Sequence, residues 1–391
     1  QAGVNLVGAL GTELSFDALW YHLPNARQLS ERGWWGVVPG GLLYSSGLPR
    51  VGDWVNAGLL WVGQARGMES PELLPKLLSW VLGIGCAWLI GKIARKYLEE
   101  KWAWGVALLW YSMLLVGWQS MVVYVDLART WLVLLSAWLL INQKPFWSAV
   151  VAGLAYSVKI LSGIEVVILA VVWGMWKRDW RECAKYLAIV IPFVLWWGML
   201  NWNQGYSFFY PLGEFGMIRE HWGLQYLTGP MIGEGRYILP ELAALLMVGI
   251  KWLTERGRRW RTLVGVIIGL HAVLGISYRA VANAKFVPYL LGQESKAQFL
   301  TQHLNFEYGD WYDTDGWVRV NLTPERFLVT GVHNTYYLPG EKWEHDSWAV
   351  KTNCWPWWLV RGEVTIGEGW QLVHEVPITQ TRIYQNSECV Q

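Results

Sequence analysis

The chain reads as a multi-pass α-helical membrane protein that carries a small extracytoplasmic α/β domain at its C-terminus. Three observations predict this. Of 391 residues, 53% are hydrophobic and only 16% charged, whereas soluble domains carry about a quarter charged residues. The apolar residues form long runs up to about residue 290, and then the runs stop. The 31 Trp suit a chain with many membrane–water interfaces, where the ring stays apolar and the N–H finds water. Net charge is only +2, so nothing suggests a nucleic-acid partner.

Taken in order, Val4 to Leu10 is too short to cross alone and reads as the end of a first span beginning before Gln1; crossing takes about 20 residues. No signal peptide is visible. Segments able to cross lie at 72–94, 104–118, 120–142, 147–161, 163–176, 184–201, 238–254 and 261–278. Basic clusters then orient the bundle: Lys92, Arg95, Lys96 and Lys101; Lys144; Lys177, Arg178, Arg181 and Lys185; Arg256, Arg258, Arg259 and Arg261. All fall on one side, the cytoplasmic side by the positive-inside rule. Segments 11–71, 202–237 and 279–391 then lie outside, 11–71 with short helices on the membrane surface.

Residues 1–290 thus form a membrane-embedded domain and 291–391 a soluble one. In the latter, a helix is expected from Trp311 to Val320. Strands are expected at Arg326–Gly331, Trp357–Arg361, Trp370–Glu375 and Thr381–Tyr384. Cys86, Cys183, Cys354 and Cys389 show no CxxC spacing and suggest no metal cluster. Cys354 and Cys389 share the soluble tail; unrelated free thiols are the plainer expectation, and pairing requires an oxidising compartment.

Charges at the edge of a span need an account, because each costs about 2.5–3.5 kcal/mol at a helix centre. Asp126, Arg129, Lys159 and Glu165 come from three helices yet sit at one level under the outer surface. Asp126 and Arg129 are three apart on one helix face, so mutual pairing and a direct site role are both open. Lys159, an amine among apolar neighbours, calls for an anion: a lipid phosphate first, Glu165 second. Above that level the first outer loop holds Glu13, Asp17, Tyr21 and His22, and the second holds Glu214, Arg219, Glu220 and His221. The ordinary reading of Asp17 is a first-turn acid, and that of the two histidines a hydrogen-bonded interface role. Trp202, Tyr206 and Tyr210 suit either sugar stacking or interface anchoring.

Phe16-Asp17-Ala-Leu-Trp-Tyr21-His22-Leu-Pro24 resembles a signature of bacterial multispanning glycosyltransferases of the GT-C superfamily, relatives of the dolichyl-phosphate-mannose–protein mannosyltransferases and the lipid A aminoarabinose transferases. Gly153-Leu-Ala-Tyr-Ser-Val-Lys159 resembles their helix ending in Lys, and Phe208-Phe-Tyr210-Pro211 their aromatic-Pro turn. The tail, with Gly316-Trp-Val-Arg and Tyr336-Tyr337-Leu-Pro, looks like the extracytoplasmic domain of many members. Many members place two acids side by side in the first loop, whereas here Ala18 follows Asp17, which leaves open whether Asp17 acts alone or with Glu13 or a distant acid such as Asp126.

The resemblance implies a GT-C-like bundle in the bacterial inner membrane. It implies transfer of a sugar from a polyprenyl-phosphate donor to a glycan, lipid or protein acceptor on the outer face, usually with inversion. Asp17 would be the general base, with Tyr21 and His22 orienting it or the acceptor. Lys159 and Arg219 would hold the donor phosphate, Asp126 would support Lys159 or the loop, and Tyr210 would stack on sugar. Some members use a divalent metal; no compact ligand set argues for one, and no cofactor is assigned. The alternative is a non-catalytic transporter or lipid-linked-sugar flippase. Against it, the chain has no internal repeat, and its charges lie near one surface rather than at the midplane.

Overall fold

The computed structural model describes residues 1–33, 44–210, 238–340, 342–347, 349 and 354–389. Helix α1 (Ala2–Leu10) leads into a first connection that is itself largely helical. A π-helical turn, Ala18–His22, runs into α2 (Leu23–Arg32), and α3 (Val51–Ala65) follows. The bundle continues with α4 (Leu73–Ala94), α5 (Glu100–Tyr111), α6 (Leu114–Gln119), α7 (Asp126–Ile141), α8 (Pro145–Val158), α9 (Ser162–Lys177), α10 (Trp180–Trp202), α11 (Leu239–Glu255) and α12 (Arg258–Asn283). Three helical stretches among the described residues are long and apolar enough to cross a membrane: Leu73–Ala94, Trp180–Trp202 and Arg258–Leu290.

Two of the expected spans are reshaped. The segment 104–118 breaks at Ser112-Met113 into α5 and α6. There α12 comes so close that a Cβ on Gly275 would lie 2.1 Å from the Ser112 carbonyl oxygen. The segment 120–142 is helical only from Asp126. Its first residues instead form a turn held by Glu13, whose Oε2 accepts from the Val123 N–H at 2.8 Å. Asp126 therefore stands in the first turn of α7, where a carboxylate suits the unsatisfied N–H groups.

Helix α7 packs on α4 and α8, and α10 on α8 and α9. Ser136, Ser148 and Tyr186 join α7, α8 and α10 through hydroxyl hydrogen bonds of 2.8–3.0 Å, which supply polar glue where apolar surface gives no preference between helix and lipid. At one end of the bundle the basic clusters gather, with Arg261 beside Glu99 (3.3 Å) and Lys177 donating to Gln143 (2.6 Å). The first connection and the C-terminal sheet lie at the other end.

The C-terminal part begins with a helix, Lys296–His303, closed by a Ser295–Gln298 capping box. Its sheet comprises β1 (Phe327–Thr330), β2 (Trp343–His345), β3 (Trp357–Arg361), β4 (Trp370–Val376) and β5 (Thr381–Asn386), in the order β2-β1-β3-β5-β4. Strand β1 is parallel to β2 and β3; β5 is antiparallel to β3 and β4. Of the helix expected at Trp311–Val320, only Trp317–Asn321 forms. Gly316 takes φ +76°, and the Asp313 carboxylate caps the N–H groups of Val318 and Arg319.

Cys354 and Cys389 are disulfide-bonded, with Cα atoms 5.7 Å apart, which corrects the expectation of unrelated thiols. The β3–β5 register pairs Trp357 with Gln385, so the chain leading into β3 and the chain leaving β5 end side by side. Cys86 and Cys183 are free.

Candidate active site

The first connection is clamped from both sides. Glu13 is fully buried and acts as a loop organiser. Its Oε1 accepts from the N–H groups of Leu14 (2.9 Å) and Ser15 (2.8 Å) and from the Ser15 hydroxyl, while Oε2 takes Val123. Lys76 of α4, also buried, donates to the carbonyls of Gly11 (2.6 Å) and Thr12 (2.9 Å). From the C-terminal part, the Tyr337 hydroxyl donates to the Glu13 carbonyl at 2.7 Å and lies 2.8 Å from Thr12 Oγ1. The Tyr336 hydroxyl donates to Glu72 at 3.2 Å, and Lys296 lies 3.2 Å from the same carboxylate. Burial, then the Glu72 charge, hold both phenols well above the usual tyrosine range, so each keeps its proton to donate.

The two parts also share a core. Trp20 of the π-helical turn is buried with Trp311, Leu322, Phe327, Val329, Leu359 and Ile383. Arg27 of α2 donates to the carbonyls of Tyr336, Leu338 and Gly340 at 2.5–2.9 Å, and the Arg32 guanidinium lies 5.1 Å from the Trp343 ring centroid. The sheet is thus fastened to the same short segment that carries Asp17.

Asp17 sits at the entry to the π-helical turn and is 9% exposed. The Tyr124 hydroxyl accepts from its backbone N–H at 3.2 Å, and the Tyr21 hydroxyl donates to its Oδ2 at 3.3 Å. An extra residue per turn, as in a π segment, re-aims successive side chains and recurs at functional sites. Here Tyr21 meets Asp17 while His22 meets Asp53. His22 Nδ1 is 2.8 Å from Asp53 Oδ1, and its ring packs on Tyr21 (4.2 Å) and Tyr124 (5.8 Å). His22 Nε2 is buried and makes no hydrogen bond among the described residues.

Asp53 and Arg50, at the start of α3, were not singled out from the sequence. Both are buried. Burial lowers the Arg50 pKa to about 10, against the pull of Asp53; the guanidinium therefore stays charged at neutral pH. A cation preceding a helix in a Gly- and Pro-rich stretch gives no periodic signal, and only the proline at position 49 followed by an acid in the first turn hints at a defined helix start.

The level of charges beneath this loop resolves into two crossed pairs. Lys159, the cap of α8, donates to Asp126 at 2.6 Å. Arg129 of α7 pairs with Glu165 of α9 and donates through Nε to Ser162 Oγ at 3.2 Å. Each cation thus meets a carboxylate from another helix. The two layers meet at Gly52, where an added Cβ would touch Val125 at 2.6 Å and Val158 at 3.5 Å. Asp17, Tyr21, His22, Asp53, Asp126 and Lys159 are thus brought to one end of the bundle. Tyr210 is also buried, beside Tyr206 at 6.0 Å, whereas Trp202 is 68% exposed. Glu214, Arg219, Glu220 and His221 lie outside the described residues.

A carboxylate held beside hydroxyls, with buried cations in the next layer, suits proton removal next to a phosphate-bearing group. The family model for glycosyltransferase family 87, a GT-C-type membrane family, matches residues 72–234. The match supports a glycosyltransferase of the GT-C type. The match spans α4 to α10 and the connection after it, and so takes in Tyr124, Asp126 and Lys159. It decides against the transporter alternative. No curated protein and no solved structure matches the chain.

Proposed function

We propose that this glycosyltransferase moves a sugar from a polyprenyl-phosphate donor to an acceptor hydroxyl on the outer face of the bacterial inner membrane, with Asp17 as general base. The observation that carries this reading is the Asp17 carboxylate, oriented by Tyr21 and fixed through Tyr124 to the matched bundle, one layer above Lys159. Asp17 takes the proton of the acceptor hydroxyl as its oxygen attacks the anomeric carbon. The bond from that carbon to the phosphate oxygen breaks, and polyprenyl phosphate leaves with the electron pair.

The growing charge on the phosphate needs cations. Lys159 supplies one by partly exchanging Asp126 for the phosphate, and Arg50 a second; Arg219 is assigned to the same task, its planar fork suiting bidentate contact. His22 Nε2 is left to meet an acceptor hydroxyl, while Asp53 fixes the ring, and Tyr210 is assigned to the sugar. The C-terminal domain, residues 291–391, holds the loop in place from the extracytoplasmic side. The Cys354–Cys389 disulfide supports that side, since such bonds persist in oxidising compartments, as do the basic loops at the opposite end.

The test is reaction of the full chain in nanodiscs with a panel of polyprenyl-phosphate sugars and acceptor extracts. The anomeric configuration of the product is read by NMR, and the donor dependence of Lys159→Ala is measured alongside. Inversion, and a rise in donor KM with kcat less affected, are expected. A retained configuration would contradict direct displacement by the acceptor, and an unchanged donor KM would remove Lys159 from the phosphate.

A further inference from the structure

At the end of the bundle away from Asp17, a cavity of about 640 Å³ opens between α5 and α12, lined by Lys101, Trp102, Gly257, Arg258, Arg261 and Thr262. It is an open groove, most of its lining residues being exposed. Lys101 and Arg261 share one carboxylate, Glu99, each at 3.3 Å, and Arg258 makes no ion pair among the described residues. The lining is therefore strongly cationic.

Basic loops at this end are the ordinary product of topology, but here three exposed cations line one open groove. The Trp102 Nε1–H is buried without an acceptor among the described residues. The first turn of α12 adds backbone N–H groups that have no intrahelical partner. Below the cavity the bundle offers hydrocarbon surface: Leu263, Val266, Ile267 and Leu270 are 46–60% exposed along α12, and nothing lies within 4 Å of a Cβ on Gly269. Trp252 and Trp260 stand nearby, half exposed, as ring systems do at the headgroup level. A cationic pocket continuous with an apolar helix face has the shape and charge of one ligand class.

We propose that this cavity binds the phosphate headgroup of an anionic glycerophospholipid, whose acyl chains lie along α12. Basic pockets between membrane helices recognise such headgroups, each cation contributing roughly a five-fold gain in affinity.

The test is native mass spectrometry of the full chain titrated with phosphatidylglycerol, cardiolipin or phosphatidylcholine of matched chains. Wild type is compared with an Arg258→Gln/Lys101→Gln variant and with a Lys144→Gln/Arg181→Gln control on neighbouring loops. The expected result is preferential retention of the anionic lipids, about 25-fold weaker in the cavity variant and near wild type in the control. Millimolar inorganic phosphate should fail to displace the lipid. Equal retention of phosphatidylcholine, equal losses in both variants, or displacement by inorganic phosphate would each overturn the proposal. Because sugar transfer is not the readout, this outcome is independent of the role given to Asp17.

Discussion

Removal of the Arg129–Glu165 pair separates a structural lock from a substrate contact. The two side chains are 2% and 5% exposed, so each is shielded from water and from lipid. Glu165→Leu leaves the Arg129 guanidinium buried without the carboxylate it pairs with, and Arg129→Met strands the carboxylate. Breaking one side of a buried pair costs about 3–5 kcal/mol, a large share of a typical stability of roughly 5–15 kcal/mol. Replacing both partners removes the desolvation penalty together with the attraction. The double variant should then fall short of wild type by only about 1 kcal/mol. Polar contacts between membrane helices average only about 0.6 kcal/mol, so the size of the coupling decides whether the pair behaves as a protein-buried ion pair. SDS-driven unfolding in mixed micelles measures all four species, with transfer activity assayed in parallel. A coupling of at least about 3 kcal/mol, with activity kept in the double variant, is expected. A coupling below about 1 kcal/mol would refute the burial argument, and a stable but inactive double variant would show that Arg129 contacts substrate.

Three further outcomes follow from the loop and the sheet. Glu13→Gln must set its amide N–H₂ against at least one of the backbone donors at Leu14, Ser15 or Val123, costing about 2 kcal/mol; SDS unfolding should show that loss together with a reduced kcat. Tyr337→Phe removes the hydroxyl that joins Glu13 and Thr12, and should speed hydrogen exchange at residues 11–15 while the sheet itself stays protected. Cys354→Ser should destabilise the C-terminal domain by about 3–4 kcal/mol for a closure of 35 residues, read as a lower melting midpoint that dithiothreitol reproduces in the wild type.

Much of the bundle was legible because lipid leaves a compositional trace: long apolar runs mark α4, α10 and α12, and basic loops mark one end. The level of charges beneath the first connection was legible for the same reason. Spacing did not show which cation meets which carboxylate: Arg129 and Glu165 pair across two helices whose rotation no spacing reveals, and Asp126 was set beside Lys159 only through the resemblance. The α5–α6 break was hidden because a single Ser112 does not interrupt the apolar run around it, and α12 approaches closely there. Glu13 reads as a site acid by composition, yet its oxygens are occupied by backbone N–H groups, a role visible only once residue 123 is beside it. Strand β2, three residues long, is too short to carry alternation, and Arg50 and Asp53 stand in a stretch without any period. The disulfide follows from the β3–β5 register, which strand-forming residues alone do not specify.

The measurement nearest the central claim is release of free polyprenyl phosphate from polyprenyl-phosphate sugars by the full chain, followed by mass spectrometry for wild type and Asp17→Asn. The account predicts release from at least one donor by the wild type and loss of about two to four orders of magnitude in the variant, with unchanged folding. Release at the wild-type rate from Asp17→Asn would contradict it.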